Sequence, residues 1–217
     1  ALKPDLAEAR CNLGNALQEM GRLKEAVEQL MLSETDISKA YLLRCFYRLD
    51  QQSNFYNQLD HMVNQDKNNA LIGSLISQSN IRYKINKNNS FCNEPLKYVL
   101  ETSLLEQCDF KTVLTDSVAG ILGDRRVQFR NQRLLTKGVQ TAGNVFSQAY
   151  KITDAIQDII RSELEKYRAH FNGSEEGLIT NWPPNYRLYG WLVSMKSGGE
   201  LNAHMHERGW VSGSIYI

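Results

Sequence analysis

The chain has 217 residues, 42% hydrophobic and 23% charged, with a formal net charge of +1, enough for one large or two small globular domains. A near-zero charge gives no electrostatic argument for nucleic acid or for an acidic membrane surface. No apolar run approaches the length of a membrane span, so neither nucleic acid nor membrane is an expected partner. Cys11, Cys45, Cys92 and Cys108 are scattered without a CxxC pair. That spacing argues against a zinc ribbon or a disulfide scaffold and points to a reducing compartment, with the cytoplasm the expected location. The chain begins at Ala1 without Met and stops at Ile217 inside an expected strand, so it reads as a piece of a longer protein whose targeting signal, if any, lies outside it.

In chain order, Ala7 to Leu17 and Gly21 to Leu30 have the pattern of two short amphipathic helices broken near Gly21. The small residues Gly14 and Ala26 would let them pack closely. With Leu13, Gly14, Leu17, Gly21, Ala26 and Leu30 in matching positions, and Pro4 as a closing proline, this pair resembles the tetratricopeptide repeat family; Arg10 stands where the family has a Trp-like residue. A shift of about 32 residues aligns Leu17, Leu23, Val27 and Leu30 with Leu49, Phe55, Leu59 and Met62, against about 34 for the family. Phe55, Leu59, Met62 and Val63 share a helix face, and a third helix is expected over about Ala70 to Tyr83, with Leu71, Leu75 and Ile76 inward. These stripes read first as core. A groove for a protein or peptide partner is the alternative that helical repeats offer.

Asn86 to Ser90 is a polar, turn-prone linker. Beyond it a helix is expected to about Gln107, strands at Phe110–Leu114 and Val127–Phe129, and a loop or strand edge over Gly138 to Phe146. Ile152, Ile156, Ile159, Ile160, Leu164, Tyr167 and Phe171 form the cleanest helical stripe, with Thr153 or Asp154 as N-cap and Gly173 as the stop. His170, at the end of this stripe, and His61, on a repeat helix, read as structural or exposed.

The last thirty residues carry the candidate site. A strand over Arg187 to Met195 is expected to turn at Ser197-Gly198-Gly199-Glu200 into a second strand, Leu201 to His206. Period-two alternation then puts Leu201, Ala203 and Met205 on one face and Asn202, His204 and His206 on the other. After Glu207 to Trp210, a third strand places Val211, Gly213, Ile215 and Ile217 opposite Ser212, Ser214 and Tyr216. Two imidazoles on one strand face can converge on a single cation; a polar strand face can equally be a solvated one.

Asn93 to Val99, Gly138 to Asn144, Tyr189 to Gly199 and Leu201 to Ile217 together resemble a family of 2-oxoglutarate/Fe(II)-dependent oxygenases related to prolyl 4-hydroxylases, whose members often carry N-terminal tetratricopeptide repeats. The resemblance covers about residues 91–217. It implies an α+β chain: tetratricopeptide-type helical hairpins over 1–86, then, over 87–217, the N-terminal part of a double-stranded β-helix (jelly roll) holding Fe(II), with 2-oxoglutarate as cosubstrate and O2 as oxidant. The first ligand of the two-His-one-carboxylate triad would be His204. The carboxylate's usual place, two residues on, is His206 here; alternation favours His206 as ligand, and Glu207 is the alternative if the strand bulges. Tyr216, and with it Ser214, would hydrogen-bond the 2-oxoglutarate carboxylate. The distal His and the basic anchor would lie beyond Ile217, and the repeats would recruit a protein or peptide substrate. Two rival readings stay open. One is a cupin-like metalloenzyme that does not use 2-oxoglutarate, disfavoured because no Glu follows the HxH at a suitable distance. The other is a non-catalytic repeat scaffold.

Overall fold

A computed structural model describes residues 4–62, 68–106, 108–147, 153–206 and 209–217. Its regular elements in chain order are α1 (Pro4–Glu19), α2 (Leu23–Ser33), α3 (Asp36–Arg48), α4 (Gln52–Asp60), α5 (Ala70–Tyr83), a 3-10 turn (Pro95–Tyr98), a π-helical turn (Lys111–Asp116) leading into α6 (Ser117–Gly123), β1 (Phe129–Arg130), β2 (Leu135–Thr141), a 3-10 turn (Val145–Ser147), α7 (Thr153–His170), α8 (Gly177–Thr180) and β3 (Val193–Leu201). The chain is therefore α+β, helical in its first part, with one three-stranded antiparallel sheet among the described residues. It divides into two compact units. The first is Ala1–Lys97 with Glu175–Trp182 and Glu207–Trp210; the second is Tyr98–Ser174 with Pro183–His206 and Val211–Ile217.

In the first unit each helix of α1–α4 packs on the next, and α3 also packs on α5 and α1. The α1–α2 turn follows from its sequence. Gly21 takes a left-handed φ of 79°, its N–H donates to the Gln18 carbonyl and the Arg22 N–H donates to the Leu17 carbonyl. That is a Schellman ending, which glycine adopts at least cost. The same pair of bonds closes α3: Asp50, at φ 56°, donates to Tyr47 and Gln51 donates to Phe46. Two helical hairpins thus share one turn, at residues 21 and 50, 29 positions apart. The expected 32-residue shift does not hold for the turns, which are 29 positions apart. Phe55 and Leu59 therefore correspond to Ala26 and Leu30, and all four are buried.

A β-carbon added at Gly14 would lie 2.6 Å from Leu30 Cγ, so the close α1–α2 approach expected from small residues is real. Beneath it sits a buried polar knot. Gln18 donates to the Tyr41 carbonyl (3.0 Å), its own side-chain oxygen accepts from Arg44, and Arg44 also donates to Asn15 (2.9 Å). Burial pushes the Arg44 pKa down, opposed by the nearby Glu19 carboxylate. Helix α5 spans the expected Ala70–Tyr83 with Leu71, Leu75 and Ile76 inward; Val63 lies outside the described residues. An L-residue in the left-handed region costs roughly 1–2 kcal/mol that glycine avoids. Asp50→Gly is therefore expected to leave the protein about 1 kcal/mol more stable than Asp50→Ala, read from denaturation midpoints; both variants lose the Tyr83 hydroxyl bond to Asp50.

The segment 86–90 is polar but not a free linker. Asn89 is buried, donates to the Gly73 carbonyl (2.8 Å) and to Ser77 (2.9 Å), and accepts from the N–H groups of Phe91 and Cys92. The first unit then continues: the Leu178 N–H donates to the Phe91 carbonyl, and Trp210 donates to the Leu178 carbonyl while its ring meets Phe91 edge-on at 5.0 Å.

In the second unit the long amphipathic helix appears as α7, ending before Gly173 at φ 93°; Ile152 is outside the described residues. Three expectations fail here. The helix expected beyond the 86–90 segment, running to about Gln107, is reduced to a single 3-10 turn at Pro95–Tyr98; the Tyr98 carbonyl accepts from the Tyr167 hydroxyl (2.8 Å) instead of an intrahelical N–H, and Val99, Thr102 and Ser103 are weak helix formers. Gln107 itself is outside the described residues. The strand expected at Phe110–Leu114 is helical, because Asp109 caps it: its carboxylate accepts from the Thr112 N–H (3.2 Å) and its carbonyl from the Val113 N–H. The third concerns the sheet.

Strand β2 is central. Phe129 and Arg130 of β1 face Thr141 and Gln140, and Val193, Ser194 and Met195 of β3 face Gln140, Val139 and Gly138. Pairing then resumes with Thr136 opposite Glu200 and Leu135 opposite Leu201. Ser197-Gly198-Gly199-Glu200 therefore does not turn the chain back. It forms a bulge within β3, with Lys137 (φ 48°) and Gly198 (φ 71°) absorbing the mismatch. Nor do 202–206 and 211–217 form the expected strands. The ladder ends where the Asn202 N–H donates to the Leu134 carbonyl (2.8 Å), and past that point no described residue takes part in a ladder. A strand without a partner has no ladder to hold it.

Candidate functional site

The site is built just past the end of β3. Since 202–206 is not a strand, alternation does not orient the imidazoles; local hydrogen bonds do. His204 Nδ1 lies 2.8 Å from the Asn202 carbonyl oxygen and His206 Nδ1 lies 2.7 Å from Ser212 Oγ. Held in this way, the two Nε2 atoms point at each other across 2.9 Å, with ring centroids 4.8 Å apart. The Trp191 ring meets His206 edge-on, at 5.0 Å and 87°, and Trp191 is met in turn by Tyr189 at 5.9 Å. Upstream, Asn144 fixes the approach of this segment: its side-chain oxygen accepts from the Gly190 N–H (2.9 Å) and its NH2 donates to the Leu188 carbonyl (3.1 Å).

The arrangement has two chemical uses. An Nε2–H of one ring can donate to the bare Nε2 of the other. Alternatively, two bare nitrogens can bind one cation. Two cis nitrogens of an octahedral ion at about 2.1 Å each stand about 3.0 Å apart, whereas a tetrahedral ion spreads them to about 3.4 Å. The observed 2.9 Å is close to the octahedral edge and is equally the length of an N–H···N hydrogen bond. Partial burial, and then the charge that His204 would carry, push the His206 pKa below the ordinary histidine value, which favours the neutral form that a ligand takes. Nδ1 contacts to a carbonyl and a hydroxyl are the outer-shell bonds that orient ligating histidines.

The structure thus brings His204 and His206 together. It does not bring Ser214 or Tyr216 to them: both are exposed, Tyr216 at 86%, and neither hydrogen-bonds either imidazole. Glu207 lies outside the described residues, and among the described residues no cluster of three or more His, Cys, Asp or Glu side chains forms. Ser212 and Trp191 are the residues sequence reasoning left off the site. Ser212 was visible only as a member of the expected polar face shared with Ser214 and Tyr216, and Trp191 only as part of the expected Arg187–Met195 strand and of the Tyr189–Gly199 motif. His61 and His170 lie far along the chain, at the ends of α4 and α7. The cysteines are unpaired, and burial raises the thiol pKa of Cys45 and of Cys92 to about 11.

Compared with known protein families, curated proteins and solved structures, the chain matches none. No helix among the described residues is long and apolar enough to cross a membrane.

Proposed function

We propose that the chain is a 2-oxoglutarate- and Fe(II)-dependent oxygenase of the prolyl 4-hydroxylase type. Its helical region would be of the tetratricopeptide kind and its sheet part of a double-stranded β-helix. The observation that carries this reading is the facing pair of imidazole nitrogens 2.9 Å apart, each ring held through its other nitrogen. His204 and His206 would supply two nitrogen donors to the iron; the spacing and the lowered pKa of His206 fit that role. Bound Fe(II) with 2-oxoglutarate would activate O2 for attack on an unactivated C–H bond. Ser214 and Tyr216, exposed and bonded to neither ring, are available to a cosubstrate carboxylate. The repeated hairpin turn at Gly21 and Asp50 supports the repeat reading, and with it a protein or peptide substrate recruited by the helices.

The test is an anaerobic titration with Fe(II) and then 2-oxoglutarate, following the visible metal-to-ligand charge-transfer band, with His204→Ala as control. A band that needs both additions and disappears in the variant is the expected result. Metal binding without the band would favour a cupin-like site, and no metal binding would leave a repeat scaffold.

A further inference from the structure

The metal reading above leaves one question about the pair itself: which nitrogens carry protons. The Asn202 carbonyl is an acceptor only, so at 2.8 Å His204 Nδ1 must carry a proton and donate. In neutral His204 the Nε2 is then bare. A second bare nitrogen 2.9 Å away would set two lone pairs against each other. Without a cation, His206 Nε2 therefore carries a proton and donates to His204. That leaves His206 Nδ1 bare, and the group 2.7 Å from it, Ser212 Oγ, must donate.

A cation reverses the demand on His206. Both Nε2 atoms must be bare to bind it, so His206 needs its proton on Nδ1, and that N–H needs an acceptor. One proton leaves Nε2 and one is taken up at Nδ1, by exchange with water, so the ring stays neutral and the proton count is unchanged. A hydroxyl donates one hydrogen bond and accepts others, and it changes role by rotating about its C–O bond. A carbonyl or carboxylate at this place would serve only the metal-bound form, and an alanine neither form.

We infer that Ser212 is a positioning residue for the His204–His206 pair, donating to His206 Nδ1 when no metal is present and accepting from it when the metal is bound. This rests on the metal-binding reading of the pair, and its test separates the two. Long-range 1H–15N correlation spectra of the imidazoles would be recorded on the full chain at pH 8, first without metal and then with Zn(II) alone. Opposite tautomers are expected without metal, His204 as Nδ1–H and His206 as Nε2–H. With Zn(II), both rings should read as Nδ1–H. Ser212→Ala is expected to weaken Zn(II) binding roughly 10–100-fold, and Ser212→Thr, which keeps the hydroxyl, to restore it to within a few-fold. His206 found as Nδ1–H before metal is added would overturn the role of Ser212 whether or not Zn(II) binds. So would Zn(II) affinity unchanged in Ser212→Ala. Rings that ignore Zn(II) while showing the expected opposite tautomers would overturn the metal-bound half of the inference and the metal reading together, leaving Ser212 as donor to a hydrogen-bonded pair.

Discussion

Phe55→Ala is expected to destabilise the helical unit by about 3–5 kcal/mol, seen as a lowered denaturation midpoint by far-UV circular dichroism. Phe55 is fully buried on α4, between Tyr47 at 6.1 Å and Tyr56 at 5.1 Å, the latter an edge-on contact at 89°. Removing the ring loses its transfer free energy, opens a cavity and breaks two aromatic contacts worth about 0.5–1.5 kcal/mol each. The corresponding position in the first hairpin is Ala26, so the second hairpin buries an aromatic ring where the first buries a methyl group. Phe55→Leu, which keeps most of the volume, should cost less than about 1.5 kcal/mol. A loss below about 1 kcal/mol for Phe55→Ala would show that α4 does not depend on this contact.

What could be read from the sequence follows from how local each signal is. Helices α1, α2, α5 and α7 were legible because 3.6-residue periodicity is written within one segment, and α1 and α7 also carry their stop, Gly21 and Gly173. The π-turn and α6 were missed because one capping carboxylate, Asp109, outweighed a short β-like run. The sheet was misread for a different reason. Ser197-Gly198-Gly199-Glu200 has the composition of a hairpin turn, and only the pairing of β3 with the distant β2 makes it a bulge. The same non-local pairing ends the ladder at Asn202, which takes the His segment out of a strand. His204 and His206 do meet in the structure, but not through the period-two alternation that was expected to align them. Their meeting depends on the Asn202 carbonyl and on Ser212, contacts that no period-two pattern specifies.

His204→Ala and His206→Ala are each expected to weaken divalent metal binding by more than the 10–100-fold that loss of an outer-shell partner costs, measured by Zn(II) competition at pH 7.5. Protons compete with metal for the His206 imidazole, so affinity falls as pH drops through its pKa. Burial first, and repulsion from a charged His204 second, hold the His206 pKa below the ordinary histidine value, so competition at His206 sets in at lower pH than for a free imidazole. The linked effect on stability has a definite sign. A histidine harder to protonate folded than unfolded makes the unfolded chain bind more protons in the interval between the two pKa values. The stability tied to His206 is therefore complete above the unfolded pKa and is lost as pH falls through the interval. His204→Ala removes the repulsion but not the burial. The His206 pKa should then rise part of the way back in an NMR titration of the metal-free protein. A His206 pKa unmoved by His204→Ala would mean that the two rings do not face each other in solution, and the metal site would lose its geometric basis.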